Sequence, residues 1–348
     1  MDARVVKKER LPELLDRVAQ DAVLIAPVRE ETVTVFKRVL GGHEVELNYS
    51  NSEIPPKAFF FPQTEKMFSY RTAGDDLEIQ KEDRAQRMAV FGMRPCDIKS
   101  LQALDPVFNG PYPDEYYAGK REHAVLIGLS CPQVLSTCFC SAFGSSPCDG
   151  TGADLMFTDL GDLYFVEINT EKGSSFTEAY RDYFSGQGAV EAAKAKETLA
   201  KERAAQFVRQ VDLDQVRQVK EVLDQHFELP YWDKISKKCL GCGICTFTCP
   251  TCHCFDIFDH QTGGYTGDRF RCWDSCMFSD FTLMAGGHNP RPSKKERVRN
   301  RFMHKLKYHL DRYGVDGCVG CGRCIAKCPV NMDITAIIKE LLEVGKNG

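Results

Sequence analysis

Short apolar runs that end beside Gly, Pro or Cys dominate the hydrophobic pattern of the first half of the chain. Three of them, residues 58–61, 88–91 and 124–129, are four to six residues long and rich in β-branched or aromatic side chains. Continuous apolar runs of this length, separated by helix-like stretches, are typical of strands buried in a largely parallel sheet. The pattern therefore predicts an α/β fold, with Asp97 placed to cap a helix after the second run.

The segments around these runs predict further elements of the same fold. Residues 11–18 have the apolar spacing of a helix, and residues 22–26 and 33–39 resemble strands. Residues 154–158 and 163–168 flank a Leu-Gly-Asp sequence, which predicts a β-hairpin.

Two helical patterns close this half of the chain. Residues 190–208 are rich in Ala, Lys and Glu, and residues 213–227 repeat apolar residues every three or four positions. Pro230 is predicted to end the second helix, so we place a domain boundary there. Residues 1–230 then form the α/β domain and residues 231–348 a second domain.

Charge and hydropathy exclude several classes of protein. The 348 residues carry a formal net charge of -4, which argues against a general nucleic-acid binder. No run approaches the roughly 18 apolar residues of a membrane span. The amino terminus lacks the apolar stretch of a signal peptide. We expect a cytoplasmic protein without a membrane span.

Seventeen cysteines are the unusual feature of the composition. Residues 1–95 contain none, whereas five lie in 96–148, eight in 239–276 and four in 318–328. A disulfide framework is typical of small secreted chains. Clustered cysteines in a long chain without an export signal instead predict metal chemistry in a reducing compartment.

One cysteine spacing, Cys-x2-Cys-x2-Cys-x3-Cys-Pro, occurs twice. The two copies comprise Cys239, Cys242, Cys245 and Cys249, then Cys318, Cys321, Cys324 and Cys328. This is the bacterial spacing for [4Fe–4S] clusters, in which the fourth cysteine of each copy ligates the cluster of the other copy. The predicted ligands are Cys239, Cys242, Cys245 and Cys328 for one cluster, and Cys318, Cys321, Cys324 and Cys249 for the other. Zinc is the weaker alternative, because zinc sites need neither a third cysteine nor the trailing proline.

The insert between the two copies is long, at about 70 positions, and its sequence pattern indicates which kind of secondary structure surrounds the two motifs. It contains helix-like stretches such as residues 294–310 rather than alternating strands, and residues 334–344 predict a closing helix. We therefore expect an α-helical ferredoxin domain. Its basic stretch, residues 291–307, fits a solvated helix face, a docking surface for an acidic partner, or a positive field that raises cluster potentials.

Four cysteines of the first half follow predicted strands or lie in the next loop: Cys96, Cys131, Cys138 and Cys140. If the strands before Cys96 and Cys131 are parallel neighbours, both thiols emerge at the carboxyl edge of the sheet, where α/β proteins bind ligands. Cys138 and Cys140 can fold back onto this edge. The arrangement predicts a third [4Fe–4S] cluster, with Cys148 and Asp97 as spare ligands. Packed, unligated thiols are the alternative.

Four cysteines of the insert have no assigned role: Cys252, Cys254, Cys272 and Cys276. An additional cluster or metal is one interpretation, but packing as small hydrophobic side chains is favoured. For His253, a packed or hydrogen-bonded imidazole is favoured over a metal ligand. The sequence has no dinucleotide fingerprint, Walker loop, HExxH motif or Ser/His/Asp order, so no catalytic residue and no nucleotide site are predicted.

An ordered set of motifs across residues 55–345 resembles a known family. The motifs are Arg94-Pro95-Cys96-Asp97, Cys138-Phe139-Cys140, Cys249-Pro250-Thr251-Cys252-His253-Cys254, Trp273-Asp274-Ser275-Cys276, Gly287-His288-Asn289-Pro290-Arg291-Pro292 and the copy at 318–329. In this order they resemble an iron–sulfur protein family that includes one component of anaerobic sulfite reductase and the beta subunit of sulfhydrogenase. The resemblance implies an electron-transferring subunit of a cytoplasmic complex in anaerobes.

The resemblance also implies the partners of such a subunit. One is a flavoprotein that reacts with NAD(P)H, and the other is a hydrogenase, a sulfite reductase or a heterodisulfide-reductase-type module. We therefore expect a non-catalytic relay for single electrons. The alternative is a reductase of sulfur compounds whose amino-terminal cluster site binds substrate directly, and a third possibility is a redox sensor or a structural zinc protein.

Overall fold

The computed structural model describes residues 2–74, 76–81 and 86–347. Its strands, in chain order, are β1 (Asp2–Lys7), β2 (Val23–Glu30), β3 (Val33–Val39), β4 (Thr64–Ala73), β5 (Asp76–Lys81), β6 (Met88–Met93), β7 (Ala124–Leu129), β8 (Leu155–Asp159), β9 (Leu163–Ile168), β10 (Phe255–Gln261) and β11 (Thr266–Trp273).

The α-helices of the same residues, in chain order, are α1 (Leu11–Asp21), α2 (Pro95–Phe108), α3 (Glu115–Glu122), α4 (Glu171–Ala179), α5 (Ala189–Ala204), α6 (Leu213–Gln225), α7 (Tyr231–Ser236), α8 (Ile244–Phe247), α9 (Lys294–Met303), α10 (His309–Tyr313), α11 (Arg323–Ala326) and α12 (Ile334–Asn347). A π-helical turn, His304–Tyr308, joins α9 to α10 without a break. No helix in the described part of the chain is both long and apolar enough to cross a membrane.

A seven-stranded mixed sheet forms the centre of the first half, in the order β1-β9-β8-β7-β6-β2-β3. Strands β2, β6, β7 and β8 are parallel to one another, and antiparallel pairs extend the sheet at both edges. Alternate residues pack on opposite faces: Phe91 lies in a core with α1, and Val90 lies in a core with α2. Both faces are therefore covered, which explains the continuous apolar runs of the central strands.

Most predicted elements of this half are confirmed, including the strands at 88–91 and 124–129, the hairpin of β8 and β9, and the helix at 11–18. The strand predicted at 58–61 is wrong, because Pro56–Phe59 is a 3-10 helix. Pro55 and Pro56 have fixed φ angles and no N–H to donate to a ladder. The run instead forms a buried turn, in which Phe61 stacks on Trp273.

Two predictions about helix ends are also corrected. Asp97 does not cap α2, because the helix begins at Pro95 and its flanking residue is Arg94. Proline is favourable at a first helical position, where no N–H is required. Similarly, α6 ends at Gln225 because His226 leaves the helical conformation, and Pro230 instead precedes α7.

A second sheet, of four antiparallel strands, combines distant parts of the chain in the order β10-β11-β4-β5. In it β11 pairs with β4, for example Thr266 with Arg71. The expectation that the insert lacks strands is therefore wrong at β10 and β11, although it is right at α9 and α10. The boundary at residue 230 stays a prediction, and this sheet takes two strands from each side of it.

A third core is enclosed by three helices of the second half and by α6, which precedes residue 230. It is formed by α6, α7, α9 and α12, whose fully buried residues include Val219, Trp232, Met303, Ile338 and Leu341. Several motif cysteines pack against this core: Cys239, Cys245, Cys318 and Cys324. The closing helix predicted at 334–344 is present as α12. This part of the molecule thus matches the expected helical surroundings of the repeated motif.

Candidate metal centres

Each copy of the repeated motif forms a loop followed by one helical turn. Helix α8 follows Gly243 and helix α11 follows Gly322, and both glycines have a φ of 76°. This left-handed conformation is unfavourable for a residue with a Cβ atom. Helices α8 and α11 contact each other. The two motif loops therefore lie side by side.

The first predicted ligand set surrounds a single cavity. This cavity is lined by Cys239, Cys242, Cys245 and Cys328, with Cys324 also in its wall. The fourth member thus comes from the other copy, as the spacing predicts. Amide groups of Gly241 and Met332 donate to the Sγ atoms of Cys239 and Cys328, at 3.3 and 3.2 Å. Backbone N–H groups that donate to cysteine sulfur in this way are among the features that tune iron–sulfur clusters.

The second predicted set lies deeper in the protein. Burial, together with the charge of the adjacent Cys249, raises the pKa of Cys318 to about 12 and that of Cys321 to about 11. Burial also raises the pKa of Cys324, with the charges of Cys321, Cys318 and Cys249 adding to the effect. These four thiols are therefore close enough to interact electrostatically. Burial thus disfavours the thiolate form of Cys318, Cys321 and Cys324, whereas a bound metal deprotonates its thiol ligands.

Two cations of the basic stretch are buried against these cysteines. Arg301 is 6% exposed and Lys305 is 4% exposed. Burial alone would lower the pKa of Arg301, but the charges of the nearby cysteines (Cys245, Cys252, Cys324 and Cys249) together outweigh burial and raise this pKa. Lys305 donates to Thr251 Oγ1 at 2.7 Å and to the Gly317 carbonyl at 2.9 Å. The interpretation of a wholly solvated basic helix is wrong, and this placement favours a positive field at the cysteines.

The four cysteines of the first half also share one cavity. Its lining contains Cys96, Cys131, Cys138 and Cys140, together with Gly320 and Cys321 of the second motif copy. Strands β6 and β7 are parallel neighbours, so the loops after them reach the same edge of the sheet. Burial raises the pKa of Cys131 to about 12, and the nearby Arg94 opposes this rise. The convergence expected from the strand order is therefore present in the structure.

The spare ligands suggested for this site lie elsewhere. Cys148 is buried but does not line the cavity. Asp97 instead accepts two hydrogen bonds from Arg323 of the second motif copy, at 2.7 and 3.0 Å, and both side chains are almost fully buried. The Nε atom of Arg323 donates to the Ser52 carbonyl at 2.9 Å. This ion pair fixes the second motif against the first sheet.

Three of the remaining insert cysteines, Cys252, Cys254 and Cys276, are hydrogen-bonded to other cysteines. Cys252 shares a hydrogen bond with Cys249, which lowers the pKa of Cys249, and Cys276 shares one with Cys254. Cys272 lies on β11 and is half-buried. Packing of these thiols as small hydrophobic side chains beside the ligand sets stays the favoured prediction.

Sequence reasoning missed the buried basic side chains around the cysteines. Arg94 is fully buried and donates to the carbonyls of Leu129, Ser130 and Tyr49, close to the first-half cavity. Lys57 is 2% exposed, donates to the Cys252 carbonyl and lies over the Trp273 ring. A single basic residue in a sequence carries no signal of burial. The only local indication is a nearby cysteine, which directly follows Arg323 and lies two positions after Arg94.

The comparison with protein-family models gives the class of the second half. A model described as a 4Fe-4S dicluster domain matches residues 238–332, which contain both motif copies. Iron–sulfur clusters are thus the cofactors of this part of the chain.

The comparison with curated proteins extends to nearly the whole sequence. The chain is 32% identical over 335 residues to sulfhydrogenase 2 subunit beta of Pyrococcus furiosus, covering 96% of this chain and 97% of that protein. The chain therefore belongs to the sulfhydrogenase beta subunit family, and it is an iron–sulfur electron-transfer subunit. No solved structure matches the chain.

Proposed function

We propose that this chain relays single electrons between an NAD(P)H-linked flavoprotein and a terminal redox subunit of a cytoplasmic complex. The terminal subunit is a hydrogenase, a sulfite reductase or a heterodisulfide-reductase-type module. The relative is by name a subunit of a sulfhydrogenase, and we extend membership of a multi-subunit complex from it to this chain. A [4Fe–4S] cluster, when bound, accepts or donates one electron, which suits a carrier between a flavin and a metal enzyme.

One observation carries this proposal: the three cysteine sets occupy adjoining sites. Cys324 of the second set lines the cavity of the first set, and Cys321 of the second set lines the cavity of the first-half set. The second set therefore lies between the other two. A linear order of sites is what a relay requires, whereas a structural metal needs no such neighbours.

The exposure of the sets indicates where a partner approaches. Cys242 of the first set is exposed, while Cys321 of the second set is buried. Apolar side chains around this exposed end, Leu240, Ile244 and Phe278, are also accessible to solvent. We assign this face to one redox partner, because electron transfer is favoured where the site lies nearest the surface.

The ligand assignment is tested by iron analysis of the anaerobically purified full chain. Three [4Fe–4S] clusters correspond to about twelve iron atoms per chain. Changing Cys138→Ser and Cys140→Ser together should remove about four of them, while Cys272→Ser, the matched control, should remove none. Unchanged iron in the double variant would dismiss the third cluster, and fewer than about eight irons in the wild type would dismiss the two-cluster assignment.

The relay itself is tested by mixing the holoprotein with a flavoprotein that oxidises NADH. Bleaching of the iron–sulfur absorbance on adding NADH and the flavoprotein, and none on adding NADH alone, is the expected result. Bleaching by NADH without the flavoprotein would contradict a relay that has no nucleotide site of its own.

A second function is favoured by one cleft. Ser130, Cys131, Tyr164 and Arg203 line a space of about 610 Å³ at the carboxyl edge of the sheet, and the buried Tyr164 hydroxyl has no hydrogen-bond partner among the described residues. Such a cleft suits a reductase that binds a sulfur compound beside the first-half cysteines. Adding sulfite or polysulfide should then change the iron–sulfur spectrum, and an unchanged spectrum would exclude this function.

A further inference from the structure

Three histidines from two segments meet in the second half of the chain, apart from the cysteine sets. His253 lies in the loop between α8 and β10, while His304 and His309 lie on the continuous helix formed by α9, the π turn and α10. One ring nitrogen of each lies within 4.8 Å of those of the other two. The ring centroids are 5.1, 6.0 and 5.7 Å apart.

The π turn brings two of these histidines together. In a regular α-helix, residues five positions apart point in directions that differ by about 140°. The π-helical turn His304–Tyr308 accommodates an extra residue, and the rings of His304 and His309 lie almost parallel, at 12°. π turns of this kind are frequent at functional sites. The helix is thus distorted at the position that aligns the two imidazoles.

Hydrogen bonds leave the same nitrogen free on two of the rings. The Nδ1 atom of His253 lies 3.2 Å from the Thr251 carbonyl, and that of His309 lies 3.0 Å from the Val315 carbonyl. A carbonyl only accepts, so each Nδ1 carries the proton and each Nε2 carries a lone pair. A histidine that binds metal commonly donates its other N–H to a backbone carbonyl in this way.

The Nε2 atom of His309 is the second indication of a ligand. The side chain is 1% exposed, and its Nε2 has no hydrogen-bond partner in the part of the chain that the structure describes. A buried polar atom without a partner costs free energy, because it has lost its hydrogen bonds to water. A metal ion bound to this nitrogen would remove that cost.

The surroundings keep the imidazoles neutral and provide access. Burial lowers the pKa of His253 to about 3 and lowers those of His304 and His309, with Lys305 lowering each of them further. Neutral imidazole is the form that binds metal. The three rings line a cleft of about 800 Å³ that also contains Arg291 and Arg312. The Asp311 carboxylate and the thiols of Cys254 and Cys276 also line this cleft, so the test below distinguishes nitrogen from sulfur ligands.

We propose that His253, His304 and His309 bind one divalent transition-metal ion of the zinc type, with a fourth coordination position open to the cleft. Three protein ligands and an open position are typical of catalytic rather than structural zinc sites. The fourth ligand is water, hydroxide or a small anion. The site goes beyond the relay function and does not depend on it.

The test uses the anaerobically purified full chain with its iron in place, incubated with Zn²⁺ and then desalted. We expect one retained zinc per chain, with X-ray absorption at the zinc edge showing nitrogen or oxygen neighbours at about 2.0–2.1 Å and no sulfur at about 2.3 Å. His304→Gln should weaken zinc binding at least tenfold while the iron content is unchanged. His260→Gln, which alters an exposed histidine on β10, is the matched control and should retain the zinc.

Three results would overturn the site: no retained zinc in the wild type, a zinc shell of sulfur, or equal zinc binding in His304→Gln. A sulfur shell would assign the zinc to free cysteines. If His304→Gln loses iron as well, the absorption spectrum of the wild type decides, because it reports the ligands without any substitution.

Discussion

At the scale of single residues, the clearest feature of this protein is a group of buried, positively charged side chains. Arg94, Arg301, Lys305 and Arg323 are each less than a tenth exposed. An unpaired buried charge costs several kcal/mol, so each requires a partner. Arg323 has Asp97, and Arg94 has backbone carbonyls. Arg301 and Lys305 lie against cysteine thiols, so thiolates that hold a cluster there would supply the negative charge that these cations need.

Replacing Arg301 tests this electrostatic role. We expect Arg301→Gln to lower the reduction potential of the nearest cluster by on the order of 50 mV, because a positive charge stabilises the reduced, more negative form. An anaerobic redox titration followed by electron paramagnetic resonance measures it. Lys294→Gln, a loss of charge in the first turn of the same helix, should shift the potential much less. Equal shifts would contradict a local effect.

Replacing Arg323 tests the ion pair with Asp97. Arg323→Ala leaves a buried carboxylate without its partner, and it should lower the free energy of unfolding by about 3–5 kcal/mol. Urea unfolding of the anaerobic holoprotein measures the change. Lys327→Gln breaks the exposed pair with Glu53 and should cost less than about 1 kcal/mol. Similar losses of unfolding free energy in both variants would show that burial of the Arg323–Asp97 pair does not increase its contribution to stability.

At the residue scale, the sequence therefore predicts which cysteines are candidate metal ligands, but it does not predict which charged side chains surround them. The spacing of the eight motif cysteines is a local property and can be read directly. The burial of Arg301 and Lys305 depends on how α9 packs against the motif loops, and no local pattern encodes that packing.

Among the elements, the two motif loops have similar backbones but different neighbours. Gly241 and Gly320 occupy equivalent positions, with φ of 72° and 64°. A Cβ atom on Gly320 would lie 2.4 Å from the Phe139 carbonyl oxygen, whereas one on Gly241 would meet nothing closer than the Met277 carbonyl oxygen, at 3.6 Å. Only the second loop is pressed against the loop of Cys138 and Cys140.

This difference gives a matched pair of substitutions. Gly241→Ala should lower the free energy of unfolding by about 1–2 kcal/mol, because its only effect is to strain the left-handed backbone. Gly320→Ala should lower the free energy of unfolding by several kcal/mol more and reduce the iron content, since the added Cβ forces the second motif loop away from the loop of Cys138 and Cys140. Thermal unfolding and iron analysis of both variants measure the effects. Equal losses would mean that the contact between the loops is unimportant.

The elements that sequence analysis predicted and missed differ in their surroundings. Strands β6 and β7 are covered on both faces. Their residues are therefore continuously apolar, and this pattern predicts them from the sequence. Strand β10 is exposed along its whole length, so it shows no alternation between a buried and a solvated face. The run at 58–61 is apolar because it is buried, but Pro55 and Pro56 prevent it from joining a sheet.

On the scale of the whole molecule, the two halves are joined by structure as well as by sequence. The four-stranded sheet takes β4 and β5 from the first half and β10 and β11 from the second. A buried ion pair between Arg271 of β11 and Glu65 of β4 reinforces it. Because these contacts are distant in sequence, neither the sheet nor the closeness of Cys96 to Cys321 could be predicted from local patterns.

A truncated chain tests how far the halves depend on each other. Residues 231–348 expressed alone lack β4 and β5, leave Arg271 without Glu65 and expose an edge of β11. We expect this fragment to hold fewer than about eight irons and to aggregate. Co-expression with residues 1–230 should restore both the iron content and the solubility. Light scattering and iron analysis measure them. A fragment that is soluble alone with about eight irons would show an independent ferredoxin domain.

The pairing of β4 with β11 has a consequence during synthesis on the ribosome. The β4–β5 hairpin is made about 190 residues before β11, an interval of about ten to forty seconds at ~5–20 residues per second. Cys96, Cys131, Cys138 and Cys140 are also translated before the loop of Gly320 that covers their cavity. Nascent chains thus present reactive thiols and an open sheet edge together. We expect yield to depend on keeping oxygen away until translation ends, even where the finished protein tolerates air.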